Sequence, residues 1–152
     1  MTRSIRDGLI GGWVLLSCTA ETPDGRTIFP RGEGFEGRLL YSADGLVGVN
    51  LADARRVRAD PQTSLMDLDD SASGPLARSY LGYSGVFTVD EETHIVTHNF
   101  DLCLDPGLIG SLQERHVHFA DDESLELTVP HFQRAAMDVA VSLKWRRHHL
   151  AK

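Results

Sequence analysis

The sequence predicts an all-β protein: one domain over residues 1–152, built as an eight-stranded antiparallel up-and-down barrel with a short helical lid segment. Three observations carry this. Short segments alternate apolar and polar residues with period two, the mark of half-buried strands. Tight-turn chemistry separates most of them, as in Ala43-Asp44-Gly45 and Asp105-Pro106-Gly107-Leu108. No strong helical period interrupts the series except in residues 52–82. An eight-stranded meander is best closed on itself, because closure removes exposed edges and leaves an interior that holds side chains or one small ligand.

In chain order, Gly11 to Cys18 is the first strand, apolar on both faces at its start. Pro23-Asp24-Gly25 is a turn, and residues 29–34 form an irregular lead to a strand over Phe35–Ser42. The Asp44-Gly45 hairpin returns the chain as Leu46–Leu51, with Tyr41 facing Val47 and Leu39 facing Val49. Gly37, Gly48 and Gly85 sit inside strands, where glycine marks bending or close approach. Residues 52–82 mix charges and turn formers, with a helical stretch from Pro75 to Tyr80; so long a connection is either a binding lid or, near residues 60–70, disorder.

Residues 83–119 are the informative stretch. Tyr83 to Val89 runs into the acidic turn Asp90-Glu91-Glu92, and Thr93 to Leu102 then directs His94, Val96, His98, Phe100 and Leu102 inward. A type II turn centred on Pro106-Gly107 would pair Phe100 with Gln113, His98 with Arg115 and Val96 with Val117. The following turn sets Phe119 against Leu125 and Val117 against Leu127, and Tyr83 falls opposite His98 or one pair away. Opposed side chains lie roughly 4.5–5.5 Å apart at Cβ, so Tyr83, His98 and Arg115 are expected to form one polar patch on an apolar inner wall. Pro130 ends the next strand, a loop holds His131, Phe132 and Arg134, and Val139 to Arg147 closes the series.

A net charge of −7 disfavours nucleic-acid and anionic-membrane partners, with Arg55, Arg56 and Arg58 the local exception. The start of the chain has no apolar run of signal-peptide length, and nothing later could span a bilayer as a helix. Cys18 and Cys103 form no metal or redox motif, so the expectation is a cytoplasmic protein with reduced thiols. The expected partner is a small-molecule ligand or substrate, with a homodimer left open. No metal or cofactor is expected. His94 and His98 would stand roughly 13 Å apart along a strand, and His116-x-His118 points outward.

Leu9-Ile10-Gly11-Gly12-Trp13-Val14-Leu15-Leu16-Ser17 resembles the L-x-G-x-W-x-L-x-S opening of the small bacterial and fungal lipocalin-like domain proteins. The resemblance continues through residues 37–45, Tyr83-Ser84-Gly85-Val86-Phe87, Val96-Thr97-His98, Gln113-Glu114-Arg115 and Leu143-Lys144-Trp145-Arg146-Arg147. It implies a ligand cavity, with Trp13 closing the barrel floor under Arg146 or Arg147; these groups and Trp145 are read as structural. It does not imply a reaction, since related small barrels include both passive carriers and cyclases or isomerases of natural-product pathways.

The leading expectation is a cofactor-independent cyclase, isomerase or hydro-lyase acting on a small apolar or aromatic metabolite. Arg115 beside His98 would keep the imidazole neutral as general base, Arg115 and Gln113 would hold a developing oxyanion, and Tyr83 or Tyr41 would donate a proton. Tyr41, Leu39, Phe87, His94, Phe100 and Gln113 would line the ligand. The alternative is a carrier in which the same patch anchors the ligand and no bond changes.

Overall fold

The computed structural model describes residues 3–56, 64–134 and 137–151. The strands are β1 (Gly11–Glu21), β2 (Thr27–Ile28), β3 (Phe35–Tyr41), β4 (Leu46–Asp53), β5 (Tyr80–Asp90), β6 (Ile95–Cys103), β7 (Leu112–Asp121), β8 (Ser124–Arg134) and β9 (Met137–Arg147). Each pairs antiparallel with its neighbour, and β1 pairs with both β3 and β9, closing the barrel. The two-residue β2 is an addition to the end of β1 and no part of the closed wall.

One end of the barrel is sealed by helix α1 (Ile5–Leu9), capped by the Ser4 hydroxyl. The Glu91 carboxylate from the β5–β6 turn accepts from Ile5 N at 2.7 Å and Arg6 N at 3.0 Å. Leu9 is fully buried, and its carbonyl accepts from the Trp13 indole at 2.9 Å. Arg147, not Arg146, is the arginine over that tryptophan: its guanidinium lies 4.1 Å from the ring centroid and donates to the Gly8 and Ile10 carbonyls.

The β3–β4 register pairs Tyr41 with Val47 and Leu39 with Val49, and β7–β8 pairs Val117 with Leu127 and Phe119 with Leu125, as the turns predict. The β6–β7 register differs from expectation by two residues: His98 faces Gln113, and Val96 faces Arg115. The cause is the connection. Pro106–Leu108 winds a 3-10 turn capped by the Asp105 carboxylate, and Gly110 takes a positive φ of 81° to donate back to the Phe100 carbonyl. The longer loop shifts the pairing by an even number, so every side chain keeps its face.

Two further expectations on β6 fail locally. His94 is exposed with φ 58°, because the Asp90 carboxylate accepts from Glu92 N and Thr93 N and folds the segment into the turn. Leu102 is 70% exposed, because Asp101 is an unpaired residue in the ladder: Phe100 faces Gly85 while Leu102 faces Ser84. A bulge of this kind reverses the alternation. Tyr83 therefore pairs with Cys103, and the residue opposite His98 is Phe87. A bulge in β1 around Leu16 likewise turns Cys18 and Ala20 inward after Trp13 and Leu15.

The helix of the long connection, α2 (Asp70–Arg78), starts earlier than expected because the Asp69 side chain caps Ala72 N. Arg55 pairs with Asp53, and Arg56 donates to the Leu76 carbonyl and Ser79 hydroxyl at the end of α2. Arg58 and residues 60–63 lie outside the described residues. Beyond Pro130 the chain does not loop; β8 continues to Arg134 after an irregularity between Val129 and Phe132. None of the described helices is long and apolar enough to cross a membrane.

Gly85 is the most closely approached of the glycines: a Cβ there would lie 1.7 Å from the Asn99 carbonyl oxygen. Gly85→Ala is expected to lower unfolding free energy by about 2–3 kcal/mol. Gly48→Ala, where an added Cβ meets nothing within 4 Å, should change it by less than about 1 kcal/mol. Urea denaturation of the two variants checks this.

Candidate functional site

His98 comes from the centre of β6, between the buried Val96 and Phe100 on the same face, and is itself 1% exposed. Its ring sits between two phenols. Tyr41 Oη lies 2.7 Å from Nε2, and Tyr83 Oη lies 2.9 Å from Nδ1. Tyr83 reaches across from the bulged strand despite the register change, its ring stacked on Phe100 at 3.7 Å between centroids. Phe87 packs edge-on against Tyr41 at 4.8 Å, fixing that phenol from behind.

Burial pushes the His98 pKa down to about 3, with the Arg115 charge adding to the effect. Burial pushes Tyr83 up to about 12, opposed by Arg115 through its charge and a hydrogen-bonding contact. Tyr41 is raised well above its ordinary value, again by burial first, then by Tyr83. All three groups are therefore neutral near pH 7. A neutral imidazole has one N–H and one bare nitrogen, which leaves two arrangements. If Tyr83 donated to Nδ1, Nε2–H would donate to Tyr41 and strand the Tyr41 proton in the core. An unsatisfied buried donor costs about 1–3 kcal/mol. The opposite arrangement satisfies everything: Tyr41 donates to Nε2, Nδ1–H donates to Tyr83, and the Tyr83 proton points onward.

Onward lies a cavity of about 290 Å³. His98, Tyr83, Leu39, Phe100, Gln113 and Arg115 all line it. Tyr41 and Phe87 do not; they are packed behind His98, and His94 is in the turn outside the barrel. The wall otherwise consists largely of aliphatic side chains such as Val49, Leu51, Leu127 and Leu143. Gln113 donates to the Ser111 hydroxyl at 3.1 Å, and Arg115 Nη1 to the Glu114 carbonyl at 2.9 Å.

Sequence reasoning missed several wall residues. Pro30 and Arg31 come from the irregular segment before β3, Leu108 from the loop after β6, and none of α2 reaches the wall. Cys18 is there because of the β1 bulge, with its thiol pushed up by burial and drawn down by Arg31; both cysteines are free. Trp145 is also a wall residue, and its indole nitrogen is the one buried side-chain N or O atom without a hydrogen-bond partner among the described residues. His131 stands on the wall with Nδ1 held by the Asp138 carboxylate at 3.2 Å. The alternation of β9 already placed Trp145 inward; nothing periodic marks Arg31. His116 and His118 are exposed on the outside of β7.

The buried imidazole makes stability depend on acid. Its folded pKa of about 3 is below the ordinary 6.5, so the unfolded chain binds the extra proton in that interval. The stabilisation is complete above about pH 6.5 and is lost as pH falls toward 3, by about 1.4 kcal/mol per pH unit between roughly pH 6 and 4. Urea unfolding at pH 7, 6, 5 and 4 should give that slope as the excess of the wild type over His98→Gln, which bonds but does not titrate.

The model of the lipocalin-like domain matches residues 10–148. No curated protein matches the chain. Among solved structures, a de novo designed fluorescence-activating β-barrel aligns over 97% of this chain and 100% of its own, with 10% sequence identity and a TM-score of 0.45. The closed eight-stranded wall, the Trp13–Arg147 floor and a match over nearly the whole length agree: the chain belongs to the lipocalin-like domain family.

Proposed function

We propose that this barrel binds a small, largely apolar or aromatic metabolite and, without a cofactor, performs acid–base chemistry on it: isomerisation, cyclisation or elimination of the hydro-lyase type. The observation that carries the reading is the neutral chain Tyr41–His98–Tyr83, which ends in a phenol on the cavity wall beside Arg115. Natural-product biosynthesis is the setting that such a reaction on such a substrate fits.

Both ring nitrogens of His98 are taken by tyrosines, so His98 is a positioning residue and not the direct base. Tyr83 is the proton donor to a substrate carbonyl oxygen. As charge grows on that oxygen, Arg115 and the Gln113 amide stabilise it, and fixed donors in a water-poor site need no reorganisation. His98 Nδ1–H steadies Tyr83 as its proton shifts. The complementary base is His131, whose Nδ1 is oriented by Asp138, leaving Nε2 to take a proton from the carbon next to the carbonyl. The C–H electron pair moves to the carbonyl carbon–carbon bond, the π pair to oxygen, and reprotonation or loss of a leaving group completes the step.

A carrier function is the second reading. It is favoured by the same closed hydrogen-bond chain, which leaves His98 satisfied, and by a Tyr83 pKa raised to about 12, which makes that phenol a weak acid.

Deuterium separates the two. The protein is incubated in D2O with a small-molecule extract, and masses are compared with those from Tyr83→Phe and His131→Asn. One metabolite should gain deuterium or change structure with the wild type, at a rate about 100-fold or more above either variant. A metabolite that native mass spectrometry finds bound, yet that returns unlabelled and unchanged, establishes the carrier instead.

A further inference from the structure

The Gln113 amide has its nitrogen engaged and its oxygen unclaimed. Nε2 donates to the Ser111 hydroxyl at 3.1 Å, and that hydroxyl donates to the Leu108 carbonyl at 2.7 Å. A hydroxyl has one proton, so Ser111, having given it to Leu108, can only accept from the amide. The small network thereby fixes how the amide is turned, with nitrogen toward Ser111 and oxygen away from it. Oε1 accepts from no group among the described residues. The buried side-chain atom left without a partner there is the Trp145 nitrogen alone, so Oε1 is not sealed in and is open to the cavity that Gln113 lines.

A donor of matching kind stands across the imidazole. Tyr83 Oη accepts from His98 Nδ1–H at 2.9 Å. It also hydrogen-bonds Arg115, and a guanidinium can only be the donor. With both acceptor positions used, the phenol has its own proton left to give, and no hydrogen bond among the described residues takes it. The register sets the two groups on either side of one ring. Gln113 faces His98 from β7, with Cβ atoms roughly 4.5–5.5 Å apart, and Tyr83 meets His98 from β5. No hydrogen bond joins Tyr83 to Gln113 directly. The wall therefore presents one neutral O–H donor and one neutral C=O acceptor, neither satisfied by the other.

We infer that the guest is a neutral hydroxy-carbonyl compound on an apolar or aromatic body: its carbonyl oxygen accepts from the Tyr83 hydroxyl, and its own O–H, a few atoms away, donates to Gln113 Oε1. This rests on the reading that the cavity binds a small molecule, and it narrows that reading to a ligand class. A ketone lacking the hydroxyl displaces water from Oε1 and gives nothing back; a phenol or alcohol lacking the carbonyl does the same to the Tyr83 proton. A carboxylate has no proton to give and would set a second acceptor against Oε1.

Three neutral two-ring probes test it by isothermal titration calorimetry in a cavity of about 290 Å³: 3-hydroxybenzophenone, which has both groups; 3-methylbenzophenone, which lacks the hydroxyl; and 3-benzylphenol, which has a methylene in place of the carbonyl. The wild type should bind the first about tenfold more tightly than either of the others. Gln113→Leu should erase the hydroxyl–methyl difference while keeping the carbonyl preference, and Tyr83→Phe should do the reverse. Thermal unfolding establishes that each variant is folded, and the wild-type comparison needs no variant at all. Equal binding of the three probes by the wild type, or a hydroxyl preference that survives in folded Gln113→Leu, overturns the ligand class but leaves a binding cavity. Binding of none of them overturns the small-molecule reading itself.

Discussion

Everything in this protein depends on the seam where β1 pairs with both β3 and β9. Closure turns a sheet with two edges into a tube, and the interior of that tube holds the His98 imidazole at 1% exposure. The seam is fastened at one end by Arg147, which lies over Trp13 and holds the carbonyls of Gly8 and Ile10, so the last strand, the first strand and α1 share one guanidinium. Glu91 binds the first amides of the same helix, at its other end. The floor is therefore tied to both halves of the barrel, and the cavity above it is a property of closure and not of any one strand.

Within that interior, burial does two things to the same three residues. It removes charge from His98, Tyr83 and Tyr41, and it forbids unpaired protons among them. Together these constraints give the hydrogen-bond chain a direction, from the packed core toward the cavity, without any ligand present. Arg115 opposes imidazolium formation at His98 and favours negative charge at Tyr83, and the Arg31 charge acts on Tyr83 in the same direction. It is this arrangement that the proposed function uses, with a substrate oxygen on which negative charge develops.

Much of the barrel was legible in the chain. Alternation and turn chemistry placed the strands, and face assignments survived even where the β6–β7 pairing moved by two residues, because an even shift preserves parity. What escaped was local and physical. Asp90 captures two backbone amides and pulls His94 into the turn. Asp101 and Leu16 each add one residue to a ladder, which inverts Leu102 on one strand and brings Cys18 inward on another. The Tyr41–His98–Tyr83 contact joins β3, β6 and β5 through side-chain reach, not through backbone opposition, so no pairing rule could supply it. The irregular segment carrying Arg31 has no period to read.

Isotope-edited NMR of the His98 ring is the most direct test of the central claim, that a neutral imidazole passes a hydrogen bond from the core to a cavity-facing phenol. At pH 7 and still at pH 5, the nitrogen shifts should report a neutral ring protonated at Nδ1 with Nε2 bare. A ring that is protonated on both nitrogens at pH 5, or that carries its proton at Nε2, would contradict the account.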